Sequence, residues 1–125
     1  MKLWQLAVIF ILILSGCANN DLKREVLYVD KGTGVGYEFK SYHEITNQEI
    51  IEETTKILND YEWIDIKISR ISSPNYQISF KSKKDERFMI WVNEENHMVE
   101  IDNYNGQIKK LGTEDSKKMV EILSK

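Results

Sequence analysis

The feature that most constrains the fold is an alternation of apolar and polar residues that recurs between residues 64 and 111. A period of two residues is typical of a strand that turns one face to a core and the other to water. The apolar set, which begins at Ile64 and is rich in isoleucine, phenylalanine and valine, is predicted to face the core, and Ile66, Ile78 and Ile90 are expected to be buried there. Turn-forming residues interrupt the alternation in "SSPN" and "NYNG". This part of the chain therefore predicts an antiparallel sheet.

The interruptions divide the alternating region into segments of strand length. The predicted strands are about 63–71, 76–82, 86–93, 97–102 and 107–111. Because the loops between them are short, successive strands are expected to be antiparallel neighbours in a four- or five-stranded meander.

Two amphipathic helices flank the predicted sheet. "TNQE" is a capping box in which Thr46 accepts from the amide of Glu49, and it begins a helix at about 47–60. Thr113 is the predicted N-cap of a second helix at about 114–124, whose inner stripe is Ser116, Met119, Val120 and Leu123. The order helix, meander, helix predicts an α+β fold with two layers, in a single domain of residues 26–125.

Residues 25–45 are ambiguous at the level of sequence. They have strand-like composition, interrupted by Gly32, Gly34 and Gly36. A phosphate-binding loop would require a following helix. Another strand-like segment follows instead, so a hairpin turn or a flexible loop is favoured.

The sheet face away from the predicted helices carries large apolar side chains among polar ones. They are Trp63, Met89, Trp91 and Met98. A tryptophan with methionine neighbours inside a polar rim is typical of a protein contact, and Trp91 is its predicted centre. The alternative is that residues 37–42 fold over this patch and bury it, because large exposed apolar patches are rare on monomers.

The amino terminus has the organisation of a secretory signal peptide. Lys2 supplies charge, residues 3–14 are apolar except for Gln5, and "LSGC" follows. The apolar run is too short to span a bilayer as a helix, which needs about 20 residues. Leu14-Ser15-Gly16-Cys17 resembles the bacterial lipobox in all four positions.

The lipobox resemblance implies how the chain is processed. It implies diacylglyceryl modification of the Cys17 thiol, cleavage between Gly16 and Cys17, and a new amino terminus that can be N-palmitoylated. Residues 1–16 would then be the signal peptide and residues 17–25 the lipidated cysteine and a polar tether. The expected location is the extracytoplasmic face of the cell membrane, held by the lipid anchor.

Composition after processing excludes several classes of protein. Cys17 is the only cysteine, so the fold has no internal disulfide. Removal of Lys2 from the 17 basic residues, with all 20 acidic ones kept, leaves a formal charge of −4. This mild, mixed charge gives no indication of nucleic-acid binding. It also argues against a second, electrostatic contact with the membrane.

The sequence contains no recognisable catalytic or metal-binding motif. His43 and His97 do not have the spacing of metal ligands, and G-x-S-x-G and S-x-x-K motifs are absent. Glu52-Glu53 and Glu94-Glu95 are adjacent pairs whose side chains diverge, which is typical of solvated charge. No catalytic residue, metal or cofactor is therefore predicted.

A weaker resemblance covers about the last 55 residues. "SSPNYQISFKSKKD", "RFMIWV" and "IKKLGTEDSKKMVEIL" resemble small lipid- or membrane-anchored proteins of Gram-positive spore-forming bacteria, a group without an assigned function. The resemblance implies a fold pattern and no functional residues.

Three function classes are compatible with these features. The leading hypothesis is a lipid-anchored, non-enzymatic binding or accessory module. The alternative is an inhibitor or immunity-type protein that captures an extracellular toxin or hydrolase with the outer sheet face. A small extracytoplasmic hydrolase is the third class, and no motif favours it.

Overall fold

A computed structural model describes residues 24–65 and 72–124 of the chain. In these residues the fold is α+β, with two helices on one face of an antiparallel sheet and a helix at the carboxyl terminus, as the sequence predicts. The elements are β1 (Leu27–Gly32), β2 (Phe39–Ile45), α1 (Gln48–Asp60), β3 (Ile64–Asp65), β4 (Tyr76–Phe80), β5 (Lys83–Val92), β6 (Val99–Asp102), β7 (Gln107–Lys110) and α2 (Thr113–Ser124).

The described sheet has seven strands in the order β2-β1-β4-β5-β6-β7-β3. The predicted meander is present as β4 to β7. The predicted neighbours of the first strand are wrong, because β3 pairs with β7 at one edge and β4 pairs with β1. Ten residues separate β3 from β4, which is enough chain to leave the edge instead of making a hairpin. The remainder of the predicted strand 63–71 beyond Asp65 lies largely outside the described residues.

Residues 25–45 are not a cover for the sheet but part of it. β1 and β2 form an antiparallel hairpin that extends the sheet beyond β4. Gly34 and Gly36 lie in the connecting loop with φ of 87° and 50°, where glycine is favoured, so the hairpin interpretation of the glycines is confirmed. Gly32 approaches the carbonyl of Pro74, which leaves no room for a side chain.

Helix α1 begins one residue later than the capping box predicts. The N-cap is Asn47, whose side-chain oxygen accepts from the amides of Glu49 at 3.0 Å and Ile50 at 3.4 Å. Thr46 is therefore not the cap. An asparagine one position closer to the helix satisfies the Glu49 amide, which the threonine was predicted to satisfy, and the Ile50 amide as well.

The core lies between the helices and one face of the sheet, which we call the inner face. Ile78 and Ile90 are fully buried there, as predicted, with Ile101, Met119 and Leu123. Ile64 is 48% exposed, so its predicted place in the core is wrong. It lies on the edge strand, where half of its side chain has no neighbour. Ile66 lies outside the described residues.

Helix α2 is joined to the sheet by a buried serine as well as by apolar packing. The Ser116 hydroxyl accepts from the amide of Val99 at 3.0 Å and lies 3.4 Å from the carbonyl of Leu111. Its position on the inner stripe of the helix matches the prediction. Within the described residues, neither helix is long and apolar enough to cross a membrane.

Candidate functional site

The face of the sheet opposite the helices, here called the outer face, carries the residues predicted to form a protein contact. Strand alternation places Met89 and Trp91 there, because Ile90 between them belongs to the inner-face core. Both are buried, with exposures of 7% and 6%. Other parts of the same chain therefore cover the two side chains.

Trp91 is covered by the segment that leads into β4. Its indole N–H donates to the carbonyl of Ser72 at 3.0 Å, so the backbone near residue 72 lies over the outer face at β5. Residues 37–42 do not provide the cover, because Phe39–Ile45 is an edge strand separated from β5 by β1 and β4. The interpretation of Trp91 as covered agrees with the structure, but the covering segment is a different one.

Of the other two predicted contact residues, Trp63 does not join this pair. Trp63 lies against the inner-face core, where it stacks on Phe88 with ring centroids 6.0 Å apart, so its predicted place on the outer face is wrong. Trp63 precedes β3, and strand alternation does not set its direction. Met98 ends the turn between β5 and β6 and is half-buried.

A polar cluster lies on the outer face beside Met89. The Gln77 side chain is 8% exposed and pairs in register with Met89 on one side and Asp30 on the other. Its amide nitrogen donates to Asp30 at 3.3 Å, and the hydroxyl of Tyr104 donates to its oxygen. Tyr104 belongs to the β6–β7 turn and has a φ of 67°. That backbone conformation allows its ring to reach back over the sheet.

The ionisation of Tyr104 reflects this position. Burial raises the pKa of the Tyr104 hydroxyl, the Arg87 cation opposes the shift, and Asp102 and Asp30 add to it. Tyr37, from the β1–β2 loop, also acts to raise the Tyr104 pKa. The hydrogen bonds of Gln77 thus bring side chains of β1, β4 and the β6–β7 turn together on the outer face.

Exposed aromatic surface remains around this cluster. Tyr37 is 63% exposed, Tyr104 is 47% exposed, and Arg87 is exposed. Tyr28 is half-buried and alternates with the core residues Leu27 and Val29, which places it on the same face. We call Tyr28, Tyr37, Arg87 and Tyr104 the tyrosine surface. Tyrosine and arginine are the residues that contribute most to protein contacts.

The sequence contained only a weak indication of this surface. "NYNG" predicts a turn, but it does not predict that Tyr104 folds back over the sheet, because that depends on the positive φ of one residue. Tyr37 was assigned to a segment that would cover the outer face, whereas it lies at the rim of that face.

A groove of about 720 Å³ lies at one end of the domain, between α1 and the β4–β5 hairpin. Leu58, Trp63, Phe80 and Phe88 supply its aromatic and aliphatic lining. Its rim includes Glu25, Ser82, Lys83, residues 85–87 and residues 103–105. An apolar lining with a polar rim has the chemistry of a binding groove.

Lys109 is a buried cation beside the groove. Its side chain is on the inner face and is 1% exposed, and its ammonium nitrogen lies 4.4 Å from the centroid of the Trp63 ring. Burial lowers the pKa of Lys109, and the negative charge of Asp60 opposes that change. The ring face provides a favourable contact for the charge and fixes the orientation of Trp63.

Glu25 attaches the start of the domain to the β4–β5 turn. Its carboxylate accepts from the amide of Ser82 at 3.0 Å, from the Ser82 hydroxyl and from the amide of Val26 at 3.2 Å. Burial acts to raise the pKa of Glu25, but the hydrogen bonds from Ser82 and Val26 outweigh it and hold the pKa below its usual range. The chain therefore enters the domain at a fixed point, at the rim of the groove.

The histidines do not form a site with other candidate ligands. His43 lies on edge strand β2 and its ring stacks on Tyr42 with centroids 4.4 Å apart, whereas His97 lies in the β5–β6 turn. Across residues 24–65 and 72–124, no group of three or more His, Cys, Asp or Glu side chains is arranged to hold a metal ion.

Comparisons with known proteins give no family for the chain. No protein-family model matches it, and no curated protein or solved structure is significantly similar to it. The predicted resemblances, including the lipobox, therefore stay predictions. Cys17 and the cleavage position before it lie outside the described residues.

Proposed function

We propose that this chain is a lipid-anchored, non-enzymatic binding module on the extracytoplasmic face of the cell membrane, and that the tyrosine surface contacts a protein partner. The sequence Leu14-Ser15-Gly16-Cys17 behind a charged, apolar segment supports the anchor. The observation that supports the contact is the exposure of Tyr37, Tyr104 and Arg87, since both Tyr37 and Arg87 act on the pKa of Tyr104. The proposal shifts the predicted contact away from Trp91, which the chain itself covers.

The anchor predicts the outcome of replacing its cysteine. Cys17→Ala is expected to abolish acylation, because the thiol is the acceptor, and to block cleavage before residue 17. Metabolic labelling with a fatty acid and mass spectrometry of the mature terminus measure both. Ser15→Ala, which keeps a small residue before the cleavage position, is the control and should still be labelled. An unmodified Cys17 in the wild-type chain would contradict the anchor.

The tyrosine surface predicts that capture of a partner depends on Tyr37. Tyr37→Ala should weaken capture by about fivefold or more, because truncating a hot-spot residue, a class in which tyrosine is enriched, costs more than about 1 kcal/mol. The partner is first identified by crosslinking to the membrane-anchored chain in cells. Its affinity for the wild-type and Tyr37→Ala chains is then measured with purified proteins. The unfolding midpoint should hardly change, since Tyr37 is mostly exposed.

Tyr42→Ala is the matched control for that experiment. Tyr42 is 41% exposed but contacts Tyr76 and the carbonyl of Ser124, at the helix side of the sheet. Capture should survive this change. Equal losses of affinity for Tyr37→Ala and Tyr42→Ala would contradict the tyrosine surface as the contact. If the partner is a secreted hydrolase or toxin that loses activity in the complex, the role is that of an inhibitor or immunity-type protein.

A further inference from the structure

The point at which the chain enters the domain determines which end of the domain can lie nearest to the proposed anchor. Glu25 is hydrogen-bonded to Ser82 in the β4–β5 turn, and the amide of Lys81 donates to the carbonyl of Val26 at 2.9 Å. These bonds join the first described residues to the tip of that hairpin. The seven residues 18–24 that separate Cys17 from Glu25 span at most about 24 Å.

The opposite end of the domain is much further from the anchor. Ile90 lies opposite Tyr76 and Lys83 lies opposite Phe80, so about 20 Å separates the two ends of β5. The β4–β5 turn is at one end of β5, and the β5–β6 turn is at the other. With a tether of this length, the hairpin tip is the part of the domain that reaches a bilayer surface most readily.

The two ends of β5 also differ in charge. The hairpin tip, residues 81–87, contains Lys81, Lys83, Lys84 and Arg87 with Asp85 and Glu86, so it has two more basic than acidic residues. All seven residues are exposed. The β5–β6 turn contains Glu94 and Glu95 and no lysine or arginine. A domain with a net negative charge thus has a positive tip where its tether attaches.

We propose that the hairpin tip is a second membrane contact, which docks on anionic phospholipid headgroups beside the lipid anchor. This inference rests on the proposed acylation of Cys17. Lysine and arginine side chains close to an anionic bilayer are attracted to it, and the attraction falls off within about one Debye length, so the short tether matters. Docking turns the lysines of the β4–β5 turn toward the membrane and leaves the acidic β5–β6 turn pointing away from it.

The test uses the full, acylated chain in vesicles of phosphatidylcholine alone or with phosphatidylglycerol. Asn105→Cys, in the turn that lines the groove beside the hairpin tip, carries a fluorophore. Asn96→Cys, an exposed asparagine in the β5–β6 turn, is the matched control at the far end. Quenching by a headgroup-attached quencher should be strong for Asn105→Cys in anionic vesicles and weak for Asn96→Cys. It should decrease when phosphatidylglycerol is left out or salt is raised.

A variant with reversed charge at the hairpin tip tests the electrostatic part of the docking. Lys83→Glu with Lys84→Glu gives the tip two more acidic than basic residues and should lower quenching of the Asn105→Cys label to the level of the Asn96→Cys control. Flotation with the vesicles separately reports the anchor. Chains that float but show equal quenching at the two labels, or quenching independent of lipid charge, would overturn the docking and leave the anchor intact. If the wild-type chain carries no acyl group and does not float with the vesicles, both the lipid anchor and the docking are contradicted.

Discussion

Replacing Trp91 with alanine is expected to lower the free energy of unfolding by about 3–5 kcal/mol, the range found for large aromatic residues in a core. The Trp91 side chain is 6% exposed, so its removal leaves a cavity on the outer face. The change also removes the indole N–H that donates to the carbonyl of Ser72 at 3.0 Å. Urea unfolding of the wild-type and variant chains, followed by circular dichroism, measures the difference.

Trp91→Phe separates packing from hydrogen bonding at the same position. Phenylalanine keeps an aromatic ring under the segment at Ser72 but cannot donate to its carbonyl, so most of the packing is kept. Its cost should be clearly smaller than that of Trp91→Ala, and a net hydrogen bond accounts for about 0.5–1.5 kcal/mol of it. A loss below about 1 kcal/mol for Trp91→Ala would contradict the buried position and restore Trp91 as a residue for partner contact.

Much of the fold follows from local signals in the sequence. The alternation through Ile78 and Ile90 places both in the core, and the helical spacing before Asp60 predicts α1 to within a residue or two. These features depend on neighbours a few residues away. The pairing of β3 with β7 depends instead on residues more than 40 positions apart, Ile64 with Ile108, and nothing in either segment alone specifies it.

The candidate site was less predictable for physical reasons that differ from residue to residue. Trp91 was correctly recognised as a large aromatic that needs cover on a polar face. The segment that covers Trp91 contacts it through the backbone carbonyl of Ser72, and a sequence pattern does not show where a backbone carbonyl will lie. Tyr104 contributes through a positive φ in its turn, and Trp63 lies just outside the strand whose alternation was used to orient it.

Alanine substitutions at Ile64, Ile78 and Ile90 test whether the alternation in the sequence correctly predicts which side chains the sheet buries. Ile78→Ala and Ile90→Ala are each expected to cost about 2–5 kcal/mol, because both side chains are fully buried between the sheet and the helices. Ile64→Ala removes the same atoms from a side chain that is 48% exposed, and should cost about 1 kcal/mol or less. Urea midpoints and slopes for the three variants provide the measurement.

This comparison tests the position of β3 in the sheet, because the same substitution is made at three sites that sequence alternation treats as equivalent. If β3 lay beside β4, as the meander predicted, with Ile64 under the helices like Ile78 and Ile90, all three losses would be similar. An edge position beside β7 leaves Ile64 with Ile108 as its paired neighbour. Three similar losses would therefore contradict the strand order, whereas a small loss at Ile64 alone supports β3 as the edge strand.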